Sequence, residues 1–143
     1  MIINPYLFFN GRCDEAIEFY RRQLGAEVQM LMRYSEGPDQ ESCAQMPEGW
    51  QDKVMHSTLR IGQSTLFASD GNSAAPGKFV GIALSLTLAD VPAAQRAFAG
   101  LSDGGHVTMP LGPTFFSPAF GMVSDRFGVA WMLMVEPPAG QGQ

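Results

Sequence analysis

The chain has 143 residues, 45% of them hydrophobic and 16% charged, enough to bury one core and too apolar for a disordered segment. Nine basic residues against fourteen acidic give a formal charge of −5, and no stretch gathers Lys or Arg into the surface that nucleic acid requires. No apolar run approaches the roughly 20 residues that span a bilayer, and the start MIINPYLFFNGRCDEA has neither a basic n-region nor a small-residue cleavage site, so a soluble cytoplasmic protein with no membrane or nucleic-acid partner is expected.

Residues 2–10, IINPYLFFN, have the period-two aromatic and β-branched character of a strand, and GRCDEAIEFYRRQLGAE then switches to helical spacing. Ala16, Ile17, Tyr20 and Leu24 share one face, with Asp14, Glu15, Glu18, Arg21 and Arg22 around it. Gly25 stops the helix and EVQMLMRYS follows as a strand. EGPDQESCAQMPEGWQDK reads as a long loop, after which VMHSTLRIG and STLFASDG form two strands joined tightly through Gly62 and Gln63. The first half is thus β-α-β-β-β.

A Gly/Ser/Pro-rich connector, GNSAAPGK, precedes a second pass through the same order: strand FVGIALSLTL, helix DVPAAQRAFAGL, and strands GHVTMPLG, FFSPAFGMVSD and GVAWMLMVE. Asp90 is suited to N-cap this helix, with Pro92 in its first turn. Phe19, Gly25 and Val28 recur as Phe98, Gly104 and Val107 at a constant offset, which an internal duplication explains. The expected fold is α+β, a single domain of two βαβββ modules in tandem, about 1–70 and 79–137, joined by a 71–78 connector and forming a curved mixed sheet around a concave cavity.

This twice-repeated module, opening PYLFFNGRCDEAIEFYRRQLGAEV and closing SDRFGVAWML, resembles the vicinal-oxygen-chelate superfamily, which includes glyoxalase I, extradiol dioxygenases and bleomycin-resistance proteins. DKVMHSTLRIG, LFASD and TFFSPAFGMVSDRFGVAWM look like its PhnB-like branch, whose members often carry the label 3-demethylubiquinone-9 3-methyltransferase. Methyl transfer from S-adenosylmethionine usually needs a glycine-rich loop after a first strand and an acidic ribose partner, and the sequence offers no such unit. The resemblance also implies a homodimer.

In glyoxalase-like members four His or Glu ligands on the first and last strands of each half hold a metal. At the corresponding places this chain has Asn4 and Pro5, Leu66 to Ala68, Gly81 to Leu84, and Trp131 to Met134. A hard or borderline divalent cation needs imidazole or carboxylate, for which an amide and thioethers are poor substitutes, so no metal and no cofactor are expected. With Pro5, Phe67, Ala83 and Met132 at those places, the site becomes apolar.

His56 is the candidate acid or base, lying on a strand face with Val54, Thr58 and Arg60; its alternative is a sheet or dimer contact. Arg60 either orients an anionic ligand or pairs with a carboxylate. Ser69 and Asp70 either complete a polar cluster with His56 or form the turn into the connector. Phe115, Phe116, Phe120 and Trp131 are core or the wall of an apolar pocket, with Trp50 as a lid over it. Asp125 and Gly128 read as hairpin chemistry, and His106 with Asp14, Glu15 and Glu18 as solvated surface. Cys13 and Cys43 are not spaced as a zinc pair and are expected reduced, Cys13 being at most a weak nucleophile candidate at a helix start. Two functions compete: a small-molecule binding protein with an apolar cavity, and an enzyme, metal-independent or with a shifted site, that uses His56 as proton carrier. A methyltransferase has only the family label behind it.

Overall fold

The computed structural model describes residues 1–37 and 46–137, so Cys43 and much of the expected long loop lie outside the described residues. The chain divides into two compact units, 1–77 and 78–143. In the first, β1 (Tyr6–Phe8), α1 (Cys13–Leu24), β2 (Glu27–Arg33), β3 (Val54–Ile61) and β4 (Ser64–Ser69) build a sheet of order β1-β4-β3-β2. In the second, β5 (Leu84–Leu88), α2 (Val91–Ser102), β6 (His106–Gly112), β7 (Phe120–Ser124) and β8 (Ala130–Val135) repeat it as β5-β8-β7-β6. The fold is α+β with tandem βαβββ modules. In each sheet the first strand runs parallel to the last and the other pairs are antiparallel.

The duplication extends to local irregularities. The register of β2 shifts between Val28 and Met30, and that of β6 between Val107 and Met109. Gly25 and Gly104 follow the two helices with φ of 68° and 78°, a conformation that glycine adopts without the clash a Cβ would bring. Both β2 and β6 are edge strands, which is why Pro110, with no N–H to donate, is tolerated in β6.

Three strands are shorter than their apolar runs suggest. β1 ends at Phe8 because Asn10 and Gly11 take positive φ, although Pro5 O still accepts from Phe67 N at 2.9 Å. β5 begins only at Leu84, after Gly81 at φ 74°. Before β7, Thr114 and Ser117 close a turn, and the Ser117 hydroxyl, within 2.7 Å of Ala119 O and 2.6 Å of Val135 O, shares its one proton between these carbonyls, so FFSP lies outside the strand.

α1 buries Cys13, Ala16, Ile17, Phe19 and Tyr20 against the sheet, and Leu24 is half-buried. Its polar positions carry the exposed ion pair Arg21–Glu18, worth little by itself, and a bidentate pair between Asp14 and the half-buried Arg33, which also donates to Asp52 O. α2 buries Ala94, Ala97 and Leu101 and is capped as its sequence suggests, Asp90 Oδ1 accepting from Ala93 N at 2.9 Å.

α1 has no such local cap, since Arg12 makes no capping bond through its side chain. Asp70, fully buried after β4, does this from a distance: Oδ1 accepts from Gly11 N and Cys13 N and Oδ2 from Val54 N, each at 2.8 Å. A carboxylate at a helix N-terminus also complements the helix dipole. Asp125 organises the β7–β8 turn comparably, Oδ1 accepting from Phe127 N and Val129 N and Oδ2 from the Trp131 indole at 2.9 Å. Removing the Asp70 carboxylate leaves buried donors unpaired at about 1–3 kcal/mol each. Asp70→Ala is therefore expected to destabilise the fold by roughly 3 kcal/mol or more, read as a lower urea midpoint, whereas Asp90→Ala at the exposed cap costs about 1 kcal/mol.

Candidate functional site

Strand alternation divides the first sheet into two faces. Leu7, Phe9, Ser57, Leu59, Leu66 and Ala68 are buried on the α1 side. Tyr6, Phe8, His56, Thr58, Arg60, Thr65, Phe67 and Ser69 fall on the opposite side. Register aligns one row across that face: Tyr6 pairs with Phe67, Phe67 with Thr58, and Thr58 with Met30. His56 is next along β3, opposite Met32.

These side chains form an aromatic cluster around the imidazole. The Tyr6 hydroxyl lies 3.0 Å from His56 Nδ1, and the Thr58 hydroxyl 3.4 Å from Nε2, a longer and weaker contact. Ring centroids are 5.5 Å apart for Tyr6–His56, 5.3 Å for His56–Phe67 and 5.8 Å for Tyr6–Phe67. Phe8 stacks on Tyr6 at 4.8 Å. With a hydroxyl at Nδ1, His56 either accepts the tyrosine proton or donates its own, so the pair can present a donor or an acceptor to a third group.

A cavity of about 470 Å³ opens beside this cluster, lined by Tyr6, Phe8, Asn10, Tyr34, Ser69 and Asn72 among others. Its size is that of a small-molecule site. The wall is mixed: the aromatic rings of Tyr6, Phe8 and Tyr34 stand with amide and hydroxyl groups. The rim is tied down at Gly71, whose carbonyl accepts from Tyr34 Oη at 2.6 Å and from Trp50 Nε1 at 2.7 Å. Tyr6 belongs to both the cavity wall and the His56 hydrogen bond.

Of the residues singled out from sequence, His56, Phe67 and Ser69 share this face, and Ser69 also lines the cavity. Arg60 is turned to the β3–β4 hairpin, where its Nε donates to Gly62 O at 3.1 Å. Trp50 is buried with its indole bonded to Gly71 and packs as core beneath the rim, so the lid reading is corrected. In the second unit Trp131 is also core: it is buried, and its indole N–H is taken by Asp125. Phe120 is buried with Phe116 edge-on at 5.0 Å, while Phe115, 95% exposed, packs edge-on against Phe116 at 5.1 Å. A separate groove of about 630 Å³ in this unit runs between α2 and β6, lined by Val91, Gln95, Phe98, Leu111 and Pro118, and holds none of the expected candidates.

Sequence reasoning missed Tyr6, Phe8 and Asn10. The alternation in YLFF carried the signal, because Leu7 and Phe9 turned inward force Tyr6 and Phe8 outward together.

The donor chemistry of the implied metal positions does not fit a divalent ion. Of those positions, Phe67 in one sheet and Met132 and Met134 in the other lie on the face away from the helix. Asn4 Nδ2 donates to Thr65 O at 3.3 Å. Among the described residues no group of three or more His, Cys, Asp and Glu is placed to hold a metal. None of the described helices is long and apolar enough to cross a membrane.

The geometry is that of a tandem βαβββ fold with a ligand-sized cavity beside one sheet, and comparison with known proteins agrees on the fold. A model of the glyoxalase/bleomycin resistance protein/dioxygenase superfamily matches residues 2–133. Protein YjdN of Escherichia coli K12 is 35% identical over 140 residues, covering 94% of this chain and 95% of that protein. Protein PA1353 from Pseudomonas aeruginosa has 42% identity and a TM-score of 0.82, over 95% of this chain and 98% of its own. A Bacillus cereus PhnB protein, provisionally labelled 3-demethylubiquinone-9 3-methyltransferase, has 26% identity and a TM-score of 0.77 over 94% and 99%. The chain belongs to the glyoxalase/bleomycin resistance protein/dioxygenase superfamily, in its PhnB-like branch.

Cys13 is excluded as a nucleophile. Its thiol is fully buried, and burial together with the neighbouring Asp70 and Asp14 carboxylates pushes its pKa far up, so the thiolate is absent at neutral pH. Native protein treated with iodoacetamide at pH 8 is expected to leave Cys13 unmodified by peptide mass spectrometry, and to alkylate it in guanidinium chloride; native modification would contradict this burial.

Proposed function

We propose that the chain binds a small organic molecule with a largely apolar, planar body in the cavity beside Tyr6 and Phe8. The observation that carries this reading is the double role of Tyr6, which walls the cavity and hydrogen-bonds His56. A ring laid on the Tyr6–Phe8 stack gains burial at roughly 25 cal/mol per Å² and about 0.5–1.5 kcal/mol more from aromatic geometry. Polar substituents then meet Asn10, Asn72 or Ser69. The site works without the glyoxalase-type metal, because its strand positions supply aromatic rings and thioethers in place of imidazole and carboxylate. Phe116 and Trp131, expected as wall, are left out of this proposal because they pack within the second unit.

The test is a thermal-shift screen of small aromatic acids, quinones and hydrophobic drugs. A ligand at a hundred times its dissociation constant stabilises the fold by about 2.7 kcal/mol. Hits are expected to raise the melting temperature of wild type and Phe116→Ala, and to lose most of that effect in Phe8→Ala. Equal shifts in wild type and Phe8→Ala would place the ligand elsewhere.

The Tyr6–His56 hydrogen bond also supports a second reading, a metal-independent enzyme in which His56 exchanges a proton through the Tyr6 hydroxyl. Tyr6→Phe keeps the ring and removes the hydroxyl, so binding retained with turnover lost would favour catalysis. Either reading expects elemental analysis to find far less than one Zn, Ni, Mn or Fe per chain; a stoichiometric metal would overturn the metal-free site.

A homodimer completes the proposal. Edge strands β2 and β6 leave Val28, Met30 and Val107 exposed, apolar side chains that a second copy would cover. Light scattering at micromolar concentration should report twice the chain mass.

A further inference from the structure

The second sheet carries the same cross-strand row as the first, with different side chains. Thr58 pairs with Phe67 and Met30 in one sheet; Met122 pairs with Met132 and Met109 in the other. Three adjacent strands thus place three methionines side by side on the face away from α2. Met134 lies two residues along β8, on the same face as Met132, opposite Phe120. This accounts for four of the nine methionines in the chain. Met122, Met132 and Met134 are half-buried and Met109 is exposed, so the row is open to solvent at the sheet edge.

Directly opposed residues on neighbouring strands have Cβ atoms about 4.5–5.5 Å apart, and the unbranched methionine side chain is flexible enough to bring adjacent sulfurs onto one centre. Thioethers are neutral, soft donors. They suit a monovalent d¹⁰ ion such as Cu(I) and its analogue Ag(I), and they hold divalent first-row ions poorly when no imidazole or carboxylate joins them. Ser85, Thr87, Ser124 and Ala130 flank the row on this face without charge, and the one imidazole nearby, His106, stands opposite Ser124, one pair further along the sheet than the three directly paired methionines. We propose that Met109, Met122 and Met132 form a thioether site for a soft monovalent metal ion, Cu(I) or its analogue Ag(I), with Met134 as an alternative fourth donor. The site shares no residue with the organic-ligand cavity in the first unit.

The experiment titrates silver nitrate, in chloride-free buffer, into protein labelled with ¹³C at the methionine methyls, in a Cys43→Ser background that removes a competing thiol. The buried Cys13 is left in place, since each methyl reports its own surroundings wherever silver first binds. The Met109, Met122 and Met132 resonances are expected to move together along one binding curve, while Met1 and Met55 stay in place. Met122→Leu, close in volume and compatible with folding, is expected to abolish the joint movement of the other two. Silver that moves none of the three, or that moves Met109 and Met132 equally with and without Met122, would overturn the site and leave the row as an apolar surface. Loss of organic-ligand binding in the thermal-shift screen would not affect this result, and failure of the silver titration would not affect that one.

Discussion

The first unit is organised around one buried carboxylate. Asp70 receives three backbone N–H groups from the loop before α1, from the first residue of α1 and from the first residue of β3. Those segments are distant in sequence and would otherwise end in unpaired donors. The cost of burying the carboxylate is offset because both oxygens accept backbone hydrogen bonds, two at Oδ1 and one at Oδ2. The same contact fixes where β4 stops, and so where Ser69 and Gly71 stand at the rim of the cavity.

From that anchor the candidate site follows by alternation. Once Leu7, Phe9 and Leu59 turn toward α1, Tyr6, Phe8 and His56 have only the other face to occupy, and cross-strand pairing brings Tyr6, Phe67 and His56 into contact. The imidazole takes its partners from neighbouring strand positions, and among them no carboxylate is bonded to either ring nitrogen. That arrangement differs from a triad, in which an acid fixes the tautomer. It suits a group that adapts its hydrogen bond to a ligand.

The fold was legible in the sequence because it rests on local periodicity and on its repetition. Gly25 and Gly104, with the Val28 and Val107 positions after them, announce the same helix-to-strand turn twice. The strand ends were less legible: the apolar run FVGIALSLTL conceals the Gly81 break, and FFSPAFG conceals the Thr114–Ser117 turn. The site was only partly readable, since faces follow from alternation within a strand while neighbours follow from register between strands. His56 and Phe67 could be placed on faces, but Tyr6 becomes a partner only when β1 is laid parallel to β4. Trp50, read as a lid, and Trp131, read as core or pocket wall, both lie buried. Large aromatics in apolar segments suggest a pocket wall, yet an indole N–H with an internal acceptor, Gly71 O or Asp125 Oδ2, is more stable buried.

The two units share a backbone and differ in chemistry, and the division of labour between sheet faces explains how. The helix-facing side must fit a helix, so its residues are held to small and branched apolar types such as Ala68, Leu59, Leu133 and Val123. The opposite face bears no such constraint, and the ladder hydrogen bonds are indifferent to what it carries. The same row is Tyr6, Phe67, Thr58 and Met30 in one sheet and Ser85, Met132, Met122 and Met109 in the other, with strand order and pairing unchanged. A side chain on this face contributes to chemistry and not to the core, so its identity is decoupled from folding. A scaffold of this kind can exchange one ligand class for another while its folding determinants, Asp70, Asp90 and Asp125, remain on the turns and caps.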